Sequence, residues 1–317
     1  MTVLVNYVKG ERSAYPSQVV LPEAEKESTT LLDFFEKRFP GISRATWKGR
    51  MRVGNVLDEH KRPICEDEPY TPGKRIFYFR EVEQEISVPF FEQIIHSDEH
   101  ILVAEKPHFL PVIPSGPYVN QCLLNRLKKT TGNENLTPIH RIDRETAGLV
   151  VFSVNPQTRG LYQQLFMEGQ VRKTYEAVTF CPLAPPEQPV IVENRIIQGE
   201  PFFRMKTEAG IPNARSWIRC IKHSNGFAVF HIEPATGKKH QIRLHLSGLG
   251  FGIVNDRYYP DLLPEQPPNF EKPLQLFARR LSFTDPVTGR NLDFRSVQPR
   301  QRIDSFRKSK PLPGNCQ

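Results

Sequence analysis

Short apolar runs recur through the last two thirds of the chain, and they restrict its folding more than any other feature. They cover Ile101 to Ala104, Leu149 to Val154, Tyr175 to Phe180, Phe227 to Ile232 and Leu281 to Phe283. Runs of this length, rich in β-branched and aromatic residues and bounded by turn signals, read as buried strands. Helical patterns lie between them, notably "QCLLNRLKK" and "TRGLYQQLFMEG". The expectation is a mixed domain of strands and helices, of catalytic size, over residues 86–297.

Ahead of it, "TTLLDFFEKRFP" carries Leu31, Phe34, Phe35 and Phe39 at helical spacing, with Thr29 or Thr30 as N-cap and Pro40 as a stop. "ISRATWKGRMRVGNVLDE" then puts Arg44, Lys48, Arg50 and Arg52 on a short helix that leads into a turn, and "TPGKRIFYFREVE" supplies a closing strand. Residues 1–85 are thus expected to form a small basic α/β module. The chain has 29 prolines, about twice the average frequency, and they gather in loops such as "CPLAPPEQP" and "PDLLPEQPPNFEKP". Strand patterns resume after each loop, so these are surface excursions of one domain. Residues 298–317 read as a basic tail, disordered or phosphate-seeking.

The formal charge of +8 and pI near 9.2 favour a polyanionic partner, because clustered Lys and Arg displace the counterions condensed on phosphates. Nucleic acid therefore ranks above an acidic protein or a membrane. Cys65, Cys122, Cys181, Cys220 and Cys316 are widely spaced and contain no C-x-x-C pair, which indicates neither a disulfide framework nor a zinc site. No apolar stretch approaches the ~20 residues that cross a bilayer, and the N-terminus lacks a secretory pattern. A soluble cytoplasmic monomer is the expectation.

Three segments place polar groups beside strongly apolar patterns: "HRIDRETAGLVVFS", "VRKTYEAV" and "EPATGKKHQIRLHL". In the first, Gly148 ends a polar loop and opens a strand, so Asp143 sits on a loop that the strand holds in place. Asp143 is then either a working carboxylate or one half of a surface ion pair with Arg141 or Arg144, which would contribute only ~0–1 kcal/mol. In the third, Ile242, Leu246 and Leu249 form a helical stripe whose other faces carry His240, Arg243 and His245. Arg243 is either a solvated rim residue or the bidentate partner of Asp143, holding that carboxylate ionised and fixing its direction. In the second, Lys173, Tyr175 and Ala177 share one strand face; Tyr175 is either a half-buried strand aromatic or a stacking surface for an unpaired base.

Together the three segments resemble the motifs of the RluA-type RNA pseudouridine synthases: an H-R-L-D-R-x-T-S-G-L-L pattern, a K-x-Y-x-A strand and a T-G-R-T-H-Q-I-R-x-H-L helix. "IVNDRYY" and "LQLFARRLSFTDPVTG" resemble the closing segments, so the likeness runs from about residue 90 to 297. It implies an α+β fold, a mixed and largely antiparallel central sheet with flanking helices and loops, preceded here by the small basic module. That module resembles a ribosomal-protein-type RNA-binding domain. The implied reaction isomerises uridine to pseudouridine in ribosomal or transfer RNA with no metal or organic cofactor. Carried over, the resemblance makes Asp143, Tyr175 and Arg243 the catalytic set, with Arg141 entering the space left by a flipped nucleotide. His140, Arg144, Lys173, His240 and Gln241 become candidate RNA contacts, joined by Arg44, Lys48 and Arg50 of the first module. This chain departs from the pattern at Asn255 and Phe109, where glycine is usual, and at Phe277 and Ile113, where histidine is usual.

Two other readings stand beside this one. A non-catalytic RNA-binding or RNA-folding factor would keep the scaffold as a clamp. A glycosidase or nucleosidase would use a carboxylate at C1′, but such enzymes commonly need a second positioned carboxyl group, for which Glu145 is the nearest in sequence.

Overall fold

Each of the five apolar runs lies in a strand of one large sheet. The protein is described by a computed structural model covering residues 6–10, 12–23, 28–181 and 184–299. The described residues divide into two units, one made of Tyr7–Ile86 with Ser115–Asn120, the other of Ser87–Pro114 with the described residues from Gln121 to 299. Residues 300–317 of the expected basic tail lie outside the described residues.

The smaller unit contains β1 (Tyr7–Lys9), β2 (Ser17–Val20), α1 (Leu31–Arg38), α2 (Arg44–Arg52), β3 (Val56–Leu57), β4 (Arg75–Tyr78) and β5 (Gln84–Ile86). Thr30 is the N-cap of α1, and Asp33 completes a capping box with it, satisfying donors that would otherwise be orphaned. Phe34, Phe35, Trp47, Met51, Ile76 and Tyr78 fill the core between the helices and the β2-β4-β3 sheet.

The larger unit contains β6 (Gln93–Ser97), β7 (Ile101–Lys106), α3 (Leu123–Thr131), β8 (Thr137–Pro138), β9 (Ala147–Ser153), α4 (Arg159–Met167), β10 (Arg172–Phe180), β11 (Val190–Gln198), β12 (Met205–Glu208), β13 (Ala214–Ser224), β14 (Phe227–Pro234), α5 (Gln241–Gly248), β15 (Leu276–Thr284) and β16 (Asn291–Arg295). Its sheet runs β12-β11-β13-β14-β10-β15-β9-β7-β6, with β16 beside β15 and β8 beside β9. β15 pairs with β9 in parallel; its pairing with β10 is antiparallel. This is the mixed, mostly antiparallel α+β sheet that the sequence led us to expect.

Every residue of β7 and β9 is buried, which is why both read as continuous apolar runs. α4 packs Tyr162 and Leu165 against Ile101, Val103, Leu149 and Val151. α5 packs Ile242 and Leu246 against Ala177, Ile218, Phe230 and Ile232. β11, β12 and β13 carry no continuous apolar run: Val190–Arg195 alternates half-buried and exposed residues before the buried Ile196, so these strands were not foreseen.

The parallel seam fixes the position of the first motif. Ala278 of β15 faces Gly148 of β9 on one side and Tyr175 of β10 on the other. Gly148 has φ +119, and a Cβ there would lie 2.3 Å from the Ala278 carbonyl oxygen. Only glycine permits both the backbone angle and the approach. Phe109 and Asn255 stand where glycine is usual in the resembling motifs, and both keep left-handed backbone, at φ 64. Asparagine tolerates that region through its short polar side chain, and Asn255 Nδ2 donates to Pro273 O at 2.9 Å. Phe109 is offset instead by burial, its ring packing edge-on against Phe270 at 5.1 Å.

Candidate active site

Asp143 is held by its loop before any partner is considered. The Ile139 amide donates to Val151 O at 2.9 Å, and His140 Nε2 accepts from the Val151 amide at 3.1 Å. Downstream, Lys106 Nζ donates to Arg144 O at 3.0 Å, and His108 Nδ1 lies 2.6 Å from Glu145 O. β7 and β9 therefore grip the loop on both sides of Asp143. Lys106 is completely buried, and its ammonium also donates to Pro107 O at 2.9 Å and Leu110 O at 2.7 Å. Burial pulls its pKa down to about 7, against the opposing charges of Glu145 and Asp143.

The Asp143 side chain keeps 26% of its surface exposed, with Arg243 Nη1 3.5 Å and His240 Nε2 4.0 Å from Oδ2. Arg243 is 2% exposed and is not the bidentate partner of Asp143. Its Nε and Nη2 donate to Asp256 Oδ2 at 2.8 Å and Oδ1 at 2.5 Å. Asp256 Oδ1 also accepts from the amides of Tyr258 and Tyr259, at 2.8 and 3.2 Å. The guanidinium lies over the rings of Tyr258 at 4.8 Å and Tyr259 at 5.3 Å. Burial works against its charge, but Asp256 foremost and then Asp143 drive its pKa above the ordinary value. The expected two-residue pair is thus a chain of three, Asp256–Arg243–Asp143, in which Asp143 receives the looser contact.

Tyr175 packs against the core beneath α5. Burial, with a contribution from the charge of Asp143, raises its hydroxyl above the usual range. The strand order brings β10 and β9 together through β15, with Ala278 between Gly148 and Tyr175, so two motifs separated in sequence meet across one strand. The irregular step between β10 and β15 falls beside Tyr175, where Arg279 is the extra residue on β15, and its Nε donates to Glu176 Oε2 at 2.9 Å.

The other candidates divide by what occupies them. Arg141 is exposed, with its guanidinium in no ion pair or hydrogen bond among the described residues. Lys173 is half-buried, and desolvation lowers its pKa. His240, the left-handed N-cap of α5, shares a 2.9 Å hydrogen bond between Nδ1 and the Tyr259 hydroxyl. Burial brings its pKa down to about 4 although Asp143 opposes the change, so the ring is neutral near pH 7. Gln241 is a structural clip, accepting from Thr236 Oγ1 at 2.7 Å and donating to Arg215 O at 3.0 Å and Ser216 Oγ at 2.9 Å. His140 stacks on Phe166 at 4.6 Å. Arg144 grips Glu145 through Nε and Nη2, at 2.9 and 2.6 Å, which occupies the carboxylate that a glycosidase reading would need.

In the smaller unit, Arg44 pairs with Asp33 and Glu36 at 2.9 and 2.7 Å, and Lys48 with Glu66 at 3.2 Å. Arg50 is 5% exposed, lying over Trp47 at 4.9 Å and pairing with Glu81 at 3.1 Å. It does not face solvent, because its helix turns that side to the core.

Asp256 and Lys106 were not singled out from the sequence. Asp256 had a signal in "NDRYY", an acidic residue two and three positions before two tyrosines. Lys106 opens "KPHFLPVIPSG", but a lysine after an apolar run reads as a strand end reaching water. Among the described residues no group of His, Cys, Asp or Glu could hold a metal, and no helix is long and apolar enough to cross a membrane.

Comparison with known proteins identifies this architecture. A family model described as RNA pseudouridylate synthase matches residues 100–248, which include Asp143, Tyr175 and Arg243. An uncharacterized RNA pseudouridine synthase of Synechocystis sp. is 30% identical over 235 residues, covering 72% of this chain and 79% of the relative. The dual-specificity RNA pseudouridine synthase RluA of Pasteurella multocida is 29% identical over 208 residues, covering 63% and 90%. The solved structure of human RNA pseudouridylate synthase domain containing 4 superposes with a TM-score of 0.51 at 26% identity, covering 66% of this chain and 88% of that one. With the shared fold, the three ordered motifs and these relatives together, the chain belongs to the RluA-type family of RNA pseudouridine synthases, which are isomerases.

Proposed function

We propose that this protein isomerises selected uridines to pseudouridine in a ribosomal or transfer RNA, with Asp143 acting at C1′ of a uridine flipped out of its helix. As the N1–C1′ bond breaks, the ribosyl centre becomes electron-poor, and an ionised carboxylate beside it stabilises or traps that centre. The freed uracil turns and bonds C1′ through C5; the C5 proton leaves and N1 gains one, so no oxidant or cofactor enters the balance. Flipping costs a few kcal/mol. Tyr175 offsets part of that by stacking on the uracil, at ~1–3 kcal/mol per base, and the exposed Arg141 fills the gap in the RNA.

One observation carries this reading. Arg243 gives its two best hydrogen bonds to Asp256, so Asp143 is oriented by a 3.5 Å contact while keeping a quarter of its surface open. A carboxylate locked in a tight bidentate pair would have its lone pairs occupied; this one has them available. The net charge of +8 supports a polyanionic substrate. Cys65 and Cys220 are free thiols, which supports action in a reducing compartment such as the cytoplasm.

The test is to map pseudouridines in RNA from cells with the gene, without it, and with Asp143→Asn. The expected result is the same few sites lost in the deletion and in the variant, while purified Asp143→Asn still binds RNA. A full set of pseudouridines in the variant strain would overturn the reading in favour of a non-catalytic clamp. Release of free uracil would instead indicate a nucleosidase.

A further inference from the structure

An aromatic path leads out of the site. The Arg243 guanidinium covers Tyr258 at 4.8 Å. Tyr258 meets Phe203 at 5.3 Å between centroids, and Phe203 meets Phe202 at 5.7 Å. Phe203 is half-buried, whereas Phe202, at the outer end, is 75% exposed.

The loop that bears these rings is tied to the site rather than hanging free. Between β11 and β12, the Gly199 amide donates to Arg204 O at 3.0 Å, and the Arg204 amide to Pro201 O at 2.8 Å. Arg204 Nη2 donates to Pro260 O at 3.0 Å, and its guanidinium covers Tyr259 at 5.0 Å. The Met205 amide donates to the Tyr259 hydroxyl at 2.8 Å. The segment 256–260, which orients Arg243, therefore also anchors residues 199–205.

A single exposed phenylalanine needs no explanation by itself. This one stands on a fixed loop and continues a file of rings that starts at the guanidinium beside Asp143, and lysines lie on the chain segments that carry the file: Lys206 on β12 directly after the loop, and Lys238 and Lys239 ahead of His240, whose ring is 5.7 Å from Tyr258. Lys206, and Lys238 and Lys239 just ahead of His240, are exposed and form no ion pair among the described residues. An exposed aromatic ring on a surface whose neighbouring segments carry unpaired cations suits single-stranded nucleic acid, the ring taking a base and the cations its phosphates. The neighbours of an extruded uridine are the bases closest to hand.

We propose that Phe202 is a positioning residue that stacks on an unpaired base flanking the target uridine. This rests on the isomerase reading above. Because the stack forms equally in the bound and reacting states, its loss weakens KM and leaves kcat in place.

The test measures tritium release from [5-³H]uridine-labelled total RNA of cells lacking the gene, using full-length wild type, Phe202→Ala, Phe202→Leu and Phe202→Trp. Phe202→Ala and Phe202→Leu are expected to raise KM roughly 5- to 150-fold, matching a stack of ~1–3 kcal/mol, with kcat within twofold of wild type. Phe202→Trp restores KM. Ile211→Ala, at an exposed apolar residue beyond the other end of the hairpin, leaves it unchanged. An unchanged KM in Phe202→Ala overturns the proposal and leaves the isomerase reading intact; so does full rescue by leucine, which would point to a generic apolar contact such as a docked protein. Wild type that releases no tritium sinks the isomerase reading, and this inference with it.

Discussion

Arg243 serves two carboxylates from one buried guanidinium, and the division of its hydrogen bonds decides what each can do. Asp256 takes the fork, and Asp143 takes the remaining nitrogen at 3.5 Å. Asp256→Ala would leave Arg243 charged, buried and without its main partner, a defect that typically costs ~3–5 kcal/mol. The expected outcome is an unfolding free energy lower by about that amount in a denaturant titration, measured against Asp143→Asn, which alters only the partly exposed, looser partner and should change it far less. Equal shifts would show that the two contacts are equivalent. Asp143, Tyr175 and Arg243 were legible in the sequence because each lies in an ordered motif. The arginine's true fork partner was not, because sequence order does not show which of two acidic residues a helix face meets.

At the level of elements, the β9–β15 seam is the narrowest joint along the main strand path of the sheet, with two residue pairs, Phe277↔Ala147 and Ala278↔Gly148. Gly148→Ala places a Cβ 2.3 Å from a backbone oxygen at φ +119. Backbone strain alone costs ~1–3 kcal/mol, and the collision adds to it, so the expected loss exceeds ~3 kcal/mol with activity falling even where the variant folds. A Gly148→Ala protein with wild-type melting and turnover would refute the tight-seam argument. The buried strands were readable because residues buried on both faces give continuous apolar runs. β11 and β13 escaped because their half-exposed faces mix charges such as Glu193, Arg195, Arg215 and Arg219 into the pattern. Arg44, Lys48 and Arg50 looked like a phosphate-binding row for a related reason: a linear charge count omits Asp33, Glu36, Glu66 and Glu81, which the fold sets against them.

For the molecule as a whole, buried neutral histidines set the acid limit. His108, His240 and His245 are 8%, 7% and 1% exposed, and burial lowers each to about 4, against about 6.5 in an unfolded chain. Between pH 6.5 and 4 the unfolded state binds protons that the native state does not, so stability falls as pH drops through that window. Each group contributes at most ~1.4 kcal/mol per pH unit. Denaturant midpoints are expected to fall between pH 6.5 and 4.5; a flat profile there would contradict the buried-neutral state. The strand order has a temporal side as well. β9 and β10, which carry the Asp143 loop and Tyr175, become neighbours only through β15, whose residues begin at Leu276. A chain emerging from the ribosome would hold all three motifs well before it could bring them together, so the reactive carboxylate stays without its setting until nearly the whole domain has been synthesised.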